Sequence, residues 1–207
     1  MTIPAHQQTP TGLAALDDLS EDDVDAIVRY WHEASDAHLD FLGIDRARLG
    51  GPSDTRARFE SAVRTGNSGQ KSTAFAVRLD AVLVGYTLLN RYAAESNYSH
   101  WHIIAPERRA AGLSTALYPH RIKLYFDLYP LERLTHQTRT RNIAVNRMLD
   151  KFVPVAETRH IDDPDGVALP GEFHLRYVTR ADIPRFFKQQ DAGRPASGFI
   201  PVGQSHR

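Results

Sequence analysis

The chain has 207 residues, 42% of them hydrophobic and none of them cysteine. That is enough apolar material for one core of ordinary size without metal or disulfide support, and it excludes disulfides, thiolate metal sites and cysteine nucleophiles. Lys+Arg and Asp+Glu each number 25, so the formal charge is zero and no global basic field gathers nucleic acid or an anionic membrane; any anion site must be local.

The opening MTIPAHQQTPTGL has neither a basic n-region nor an apolar h-region, and no apolar run approaches the roughly 20 residues of a membrane span. A soluble cytoplasmic protein is expected, with no nucleic-acid and no membrane partner. Residues 1–12, with Pro4, Pro10 and Gly12, read as a flexible arm, although Gly12 to Leu16 can supply a short strand. Ser20 ahead of Glu21, Asp22 and Asp23 is a helix start, and Val24, Ile27, Val28 and Trp31 follow at helical spacing, predicting a helix over about 21–35. SDAHLDFLGIDRARLGG reads as a short helix or structured loop, and Thr55 to Thr65 as a second amphipathic helix. From Ser72 the period changes to two, so STAFAVRLD and VLVGYTLLNRY form a hairpin about Leu79-Asp80-Ala81, and a third strand runs from Ser96 to Ala105.

Gly112 to Tyr129 is helical in period, with Pro119 either kinking the helix or lying in its first turns. Leu131 to Thr140 is a strand, Asn142 to Phe152 a short helix, and Val153 to Ile161 and Phe173 to Thr179 two further strands. Residues 188–207 read as a C-terminal tail, in which Phe199-Ile200-Pro201-Val202 leaves docking on a sheet edge or on a partner subunit, and so a homodimer, open. The sum is an α+β fold: one domain over 13–187, its sheet mixed but mostly antiparallel, with helices on both faces. The helix 112–129 should connect its flanking strands as a βαβ crossover, giving one local parallel pair.

The most informative run is His102-Ile103-Ile104-Ala105-Pro106-Glu107-Arg108-Arg109-Ala110-Ala111-Gly112-Leu113-Ser114-Thr115-Ala116-Leu117. A strand stops at a proline, a basic turn follows, and a helix opens on small residues. Free first-turn N–H groups and the positive helix end then meet where a phosphate can approach the backbone. The run lacks the Gly-Lys-Ser/Thr ending of a P-loop and the three glycines of a dinucleotide fingerprint.

This run resembles the Arg/Gln-x-x-Gly-x-Gly/Ala signature of the GNAT superfamily of N-acyltransferases: Pro106, Arg109 and Gly112 fall in place, and Ser114 stands where the family prefers Gly or Ala. Asn142 to Phe152 resembles the family's second coenzyme A element. The resemblance implies acetyl-coenzyme A as co-substrate, held where the parallel pair splays. Ile103 and Ile104 would offer backbone groups to pantetheine, Arg108, Arg109, Ala110, Ala111, Gly112, Leu113, Ser114 and Thr115 would cradle the pyrophosphate, and Asn142 would touch the pantetheine amides. The implied activity is transfer of the acyl group to a primary amine of a small molecule or amino acid. Acylation of a protein or peptide amine, and a coenzyme A-binding sensor without turnover, are the alternatives.

Amide formation from a thioester needs a neutral amine, an outlet for its surplus proton and often an acid for the thiolate. Alternation along the third strand places Tyr98, His100, His102 and Ile104 on one face, making the two imidazoles the leading base candidates and Tyr98 a candidate acid. The family resemblance puts His100 ahead of His102. A His-x-His pair also suits a metal, but no third ligand is placed by sequence, and no metal is expected. The family often carries its acidic tyrosine seven residues after the asparagine, where this chain has Leu149; Tyr118, Tyr125 and Tyr129 are the other candidates. In this fold the first helices wall the acceptor pocket, which implicates Trp31, Asp36, His38 and Phe41, a set of aromatics and acid suited to a cationic amine.

Overall fold

The computed structural model describes residues 5–65, 72–93, 96–109 and 111–192. The chain begins with β1 (Ala5–Thr9) and β2 (Gly12–Asp18), an antiparallel hairpin whose turn is closed by Thr9 Oγ1 donating to the Gly12 carbonyl at 2.7 Å. This corrects the flexible arm expected over 1–12. From Ala5 onward that segment hydrogen-bonds along β2, because a strand beside a free edge satisfies its backbone groups better than a loose arm does.

Helix α1 (Glu21–His32) starts at a reciprocal cap. Ser20 Oγ accepts from the Asp23 N–H at 3.3 Å, and Asp23 Oδ2 accepts from the Ser20 N–H at 2.8 Å. It ends earlier than its hydrophobic period suggested, because Ser35 caps the next helix, α2 (Asp36–Leu42), by accepting from the His38 N–H. Helix α3 (Pro52–Thr65) begins three residues before the expected Thr55, with proline at its first position, where a missing N–H costs nothing. Then come β3 (Ser72–Leu79), β4 (Val82–Ala93), β5 (Ser96–Ile103), α4 (Leu113–Leu128), β6 (Leu134–Arg139), α5 (Ile143–Leu149), β7 (Glu157–Ile161), β8 (Gly171–Val178) and α6 (Ile183–Ala192). Helix α6 crosses the boundary expected at 187, and the Phe199 to Val202 segment lies outside the described residues.

The strands form one sheet in the order β1-β2-β3-β4-β5-β6-β8-β7, antiparallel throughout except for β5 and β6. Alternation on β3 separates the two cores. Ala74 and Ala76 face Val24, Ile27, Trp31 and Phe59 of α1 and α3, whereas Phe75, Val77 and Leu79 face Leu113, Leu117, Tyr125 and their neighbours on α4. Small alanines on one side and large residues on the other set how closely each helix layer approaches. No helix among the described residues is long and apolar enough to cross a membrane.

The parallel pair is barely a pair. Tyr98 opposite Thr135 is its one registered position, so β5 and β6 diverge from there. What holds β6 at that distance is Arg176 on β8, which is 1% exposed. Its guanidinium donates to the Val153 carbonyl, Thr138 Oγ1, Asn146 Oδ1 and Asp150 Oδ1 at 2.7 to 3.2 Å, tying β8 to β6 and to α5. Asn146 in turn donates to the Arg139 and Thr140 carbonyls, fixing the turn that launches α5. Replacing Arg176 with Met keeps the volume but leaves the buried Val153 carbonyl without this donor and breaks the ties to Thr138, Asn146 and the exposed Asp150 carboxylate, and is expected to cost about 1–3 kcal/mol. Chemical denaturation of Arg176→Met against the parent chain measures it.

Candidate functional site

The divergence of β5 and β6 opens a cavity of about 520 Å³ that runs from the start of α4 through the sheet to the α1–α3 face. At one end, Pro106–Arg108 makes a single 3-10 turn, and α4 opens on Gly112 at φ 76°, a left-handed position that favours glycine. Gly112 has no side chain with which to cap the helix, and a Cβ built there would meet no atom within 4 Å. The first-turn N–H groups of Leu113, Ser114 and Thr115 thus stand at an open, positively polarised end of a sixteen-residue helix.

Along the wall, β5 presents alternate backbone groups. Ile104 is committed to β4 through its N–H on the Val84 carbonyl at 3.0 Å, which takes that N–H out of the backbone groups expected to face pantetheine. The Ser99 carbonyl instead faces His136 on β6. By alternation the backbones of Trp101 and Ile103 therefore face the gap. Arg108 lines the cavity. Arg109 does not: it lies in a separate shallow recess with Tyr30 and His38, its Nε 3.5 Å from the Ile103 carbonyl. Ala111 through Thr115 line the cavity, and Ala110 lies outside the described residues. Asn142 also lines it, with Oδ1 capping α5 by accepting from the Val145 N–H at 3.3 Å.

Tyr98, His100 and His102 share the opposite face, as strand alternation requires, and all three line the cavity. His102 is boxed by aromatics: it stacks on Tyr86 with centroids 5.0 Å apart and meets the edge of Trp31 at 4.9 Å, while Trp31 Nε1 donates to Tyr86 Oη at 2.7 Å. His100 stands between this box and Tyr98. Burial drives His100 down to about 4, aided by the Arg121 and Arg58 charges. It drives His102 to about 3, aided by His100 and Arg58. Both imidazoles are neutral at pH 7. His136, on the far wall, is likewise held neutral by burial and accepts or donates with Tyr118 Oη at 3.0 Å.

The remaining tyrosines are accounted for. Tyr125 Oη is hydrogen-bonded to Thr87 Oγ1 at 2.7 Å, Tyr129 Oη to Thr73 Oγ1, and Tyr118 belongs to the α4–α6 core. Leu149 is 1% exposed and packs into the same core, so the place of the family tyrosine holds an apolar side chain. Tyr98 sits near Asp165, with its hydroxyl pushed up by burial and then by that carboxylate.

On the acceptor side, Trp31 alone of the four expected residues reaches the cavity. Asp36 points to solvent and pairs with Arg46 at 2.7 Å, Phe41 is 62% exposed, and His38 lies in the shallow recess. The wall is built instead by Leu42, Ile44, Leu49, Leu88, Arg58 and Asn90, closed by the loop bearing Asp165, Gly166, Val167 and Ala168. That loop is stitched down by Asp45 N–H to the Val167 carbonyl at 2.7 Å and Leu169 N–H to the Gly43 carbonyl at 2.8 Å. Two lining residues had a sequence signal that went unread. Arg121 interrupts the apolar stripe Leu113, Leu117, Tyr125 at four-residue spacing, and Tyr86 alternates with Val84 and Leu88 on β4.

No protein-family model and no curated protein matches the sequence. Solved structures do. Mycobacterium smegmatis RimJ, in complex with CoA-disulfide, superimposes with a TM-score of 0.70 over 93% of this chain and 96% of its own, at 17% identity. A GNAT-family acetyltransferase from Bacillus anthracis gives 0.59 over 84% and 98%, at 16% identity. The aminoglycoside acetyltransferase AAC(6')-Ib in complex with coenzyme A gives 0.61 over 83% and 98%, at 14% identity. The chain has the fold of the GNAT acetyltransferases, with the splayed parallel pair at its centre.

Neutral buried histidines make the fold acid-sensitive. An unfolded chain takes up a proton on each near pH 6.5, the folded chain only near 4 for His100 and 3 for His102. Between those values the unfolded state binds more protons, so stability present above pH 6.5 is lost as pH falls toward 4. Thermal midpoints are expected to be flat from these groups above pH 7 and to decline from pH 6.5 to 5, with a shallower decline in His100→Gln.

Proposed function

We propose that the chain is an N-acyltransferase that takes acetyl-coenzyme A, or a related short acyl-coenzyme A, and acylates a primary amine of a small molecule or amino acid. The observation that carries this reading is the joining of the uncapped α4 N-terminus and the neutral His100 by one continuous cavity through the β5–β6 gap. The fit to coenzyme A is good on the chain's own features. The left-handed Gly112 leaves room for a phosphate against Leu113, Ser114 and Thr115, Arg108 adds charge, and the Trp101 and Ile103 backbones and Asn142 offer partners to an amide-bearing arm. The thioester supplies an activated carbonyl.

The amine nitrogen forms the new C–N bond, the C–S bond breaks, and the thiol leaves with coenzyme A. The ammonium proton has to reach solvent. His100 faces the cavity in its neutral form, able to accept a hydrogen bond from the amine or from an intervening water. Its low affinity for a proton suits it to relaying one rather than keeping one. His102, boxed by Tyr86 and Trp31, positions His100 and keeps that part of the cavity apolar. With Leu149 in place of the family acid and Tyr98 at the rim beside Asp165, protonation of the departing thiolate falls to solvent or to Tyr98. Acceleration then comes chiefly from positioning.

Three outcomes test this. Gly112→Ala costs the fold only the left-handed strain of about 1–2 kcal/mol, since its Cβ meets no protein atom. It should nevertheless weaken coenzyme A binding at least tenfold by calorimetry; equal affinity would remove the cradle. His100→Ala should lower turnover roughly 100-fold, measured as free-thiol release across small amines and peptide N-termini, and leave coenzyme A affinity within about twofold. In the parent chain, kcat/KM should climb with pH as the acceptor's own ammonium ionises, with no inflection near 6.5, because His100 titrates near 4. An inflection at 6.5 that vanishes in His100→Ala would show a base of ordinary strength instead.

A further inference from the structure

Two of the arginines among the described residues are buried, and they are treated in opposite ways. Arg176 has four oxygen partners, including a carboxylate. Arg121 on α4 is 2% exposed, its Nε has no hydrogen-bond partner, and no carboxylate pairs with it among the described residues. Its guanidinium carbon lies 5.2 Å from the Trp101 ring centroid and 5.3 Å from that of Tyr118. Trp101 Nε1 is also buried without a partner. Both groups can only donate, and both line the cavity. Arginine stays charged even when burial lowers its pKa, and a buried cation without a counter-ion is among the costliest features a fold can keep. Two orphan donors at the cavity wall point to an anionic acceptor that arrives with the ligand.

Depth says which part of the ligand. From Leu113 to Arg121 the helix rises about 12 Å, at about 1.5 Å per residue. From Ile103 back to Ser99 the strand covers about 13 Å, at about 3.3 Å per residue. Arg121 therefore stands level with Ser99 to Trp101, near enough for its charge to act on His100 across the strand, and two turns away from the first-turn N–H groups that suit a pyrophosphate. Its anion is a second one, at the reacting end.

We propose that the preferred acyl donor is the coenzyme A monothioester of a short dicarboxylic acid, of the succinyl class, whose free carboxylate is received by Arg121 and Trp101 Nε1. This rests on the acyltransferase reading above and names its donor. The carboxylate is a spectator: the C–N bond forms and the C–S bond breaks as before, and the ammonium proton leaves to solvent. A cationic amine is thereby turned into an anionic amide.

The test compares acetyl-coenzyme A, succinyl-coenzyme A and free coenzyme A by calorimetry and by thiol release with one amine. The parent chain should bind the succinyl thioester at least tenfold more tightly than the acetyl thioester and favour it by a similar factor in kcat/KM. Arg121→Met should erase that preference, keep free coenzyme A within twofold, and leave the thermal midpoint unchanged or raised, since an unpaired charge is removed. Arg121→Gln provides the same comparison should the Met variant not fold. Equal binding of the two thioesters by the parent chain, or equal losses for both in the variants, overturns the inference while leaving the acyltransferase intact. Absence of binding for all three ligands overturns both.

Discussion

The rest of the molecule depends on one constraint: β5 and β6 are parallel neighbours that meet at a single position, Tyr98 opposite Thr135. A continuous ladder there would seal the sheet and divide the α1–α3 core from the α4–α6 core. Because the ladder fails, the two faces communicate through the cavity, and the backbones of Trp101 and Ile103 are left facing it. Such a gap in the middle of a sheet has to be held open from outside. Arg176 does this on the β6 side by saturating itself with acceptors from β6, the segment after α5 and α5 itself. On the β5 side, the bonds of Ile104 and Ala105 to the Val84 carbonyl hold the strand against β4.

The electrostatics of the cavity follow from the same opening. Its α4 end offers uncapped N–H groups and Arg108, its middle holds the buried Arg121, and Arg58 approaches the imidazoles from the α3 side. Positive potential and desolvation act on His100 and His102 in the same direction, so the site combines neutral bases with fixed donors. That combination suits the doubly anionic donor proposed above, and under the proposed reaction it would leave the acceptor's own ionisation to set the pH dependence.

Much of this was legible in the residues. The strand–Pro–basic turn–Gly–helix run from His102 to Leu117 sets an uncapped helix end behind a small left-handed residue wherever it folds, because these are local properties, and such an end suits an anion. The period-two pattern of β3 to β5 placed His100 and His102 on one face for the same local reason. Asp36 and Phe41 were misjudged because a short helix such as α2 can turn any side toward the core. Leu39 won that place, leaving Phe41 outside and Asp36 to Arg46. Arg109 was misjudged because the turn that aims Arg108 into the cavity directs its neighbour away.

By itself, then, the sequence determined most of the central elements, their order and the uncapped end of α4, since periodicity, caps and glycine conformations act within a few residues; β1 and α6 it did not show. Only the tertiary structure decided how far β5 and β6 part, which residues wall the cavity, and that Arg121 lies buried beside Trp101 with no counter-ion among the described residues. These are outcomes of packing between segments far apart in the chain. A charged residue in an apolar helical stripe reads the same in sequence whether its partner is a carboxylate from another strand or, as for Arg121, the faces of aromatic rings.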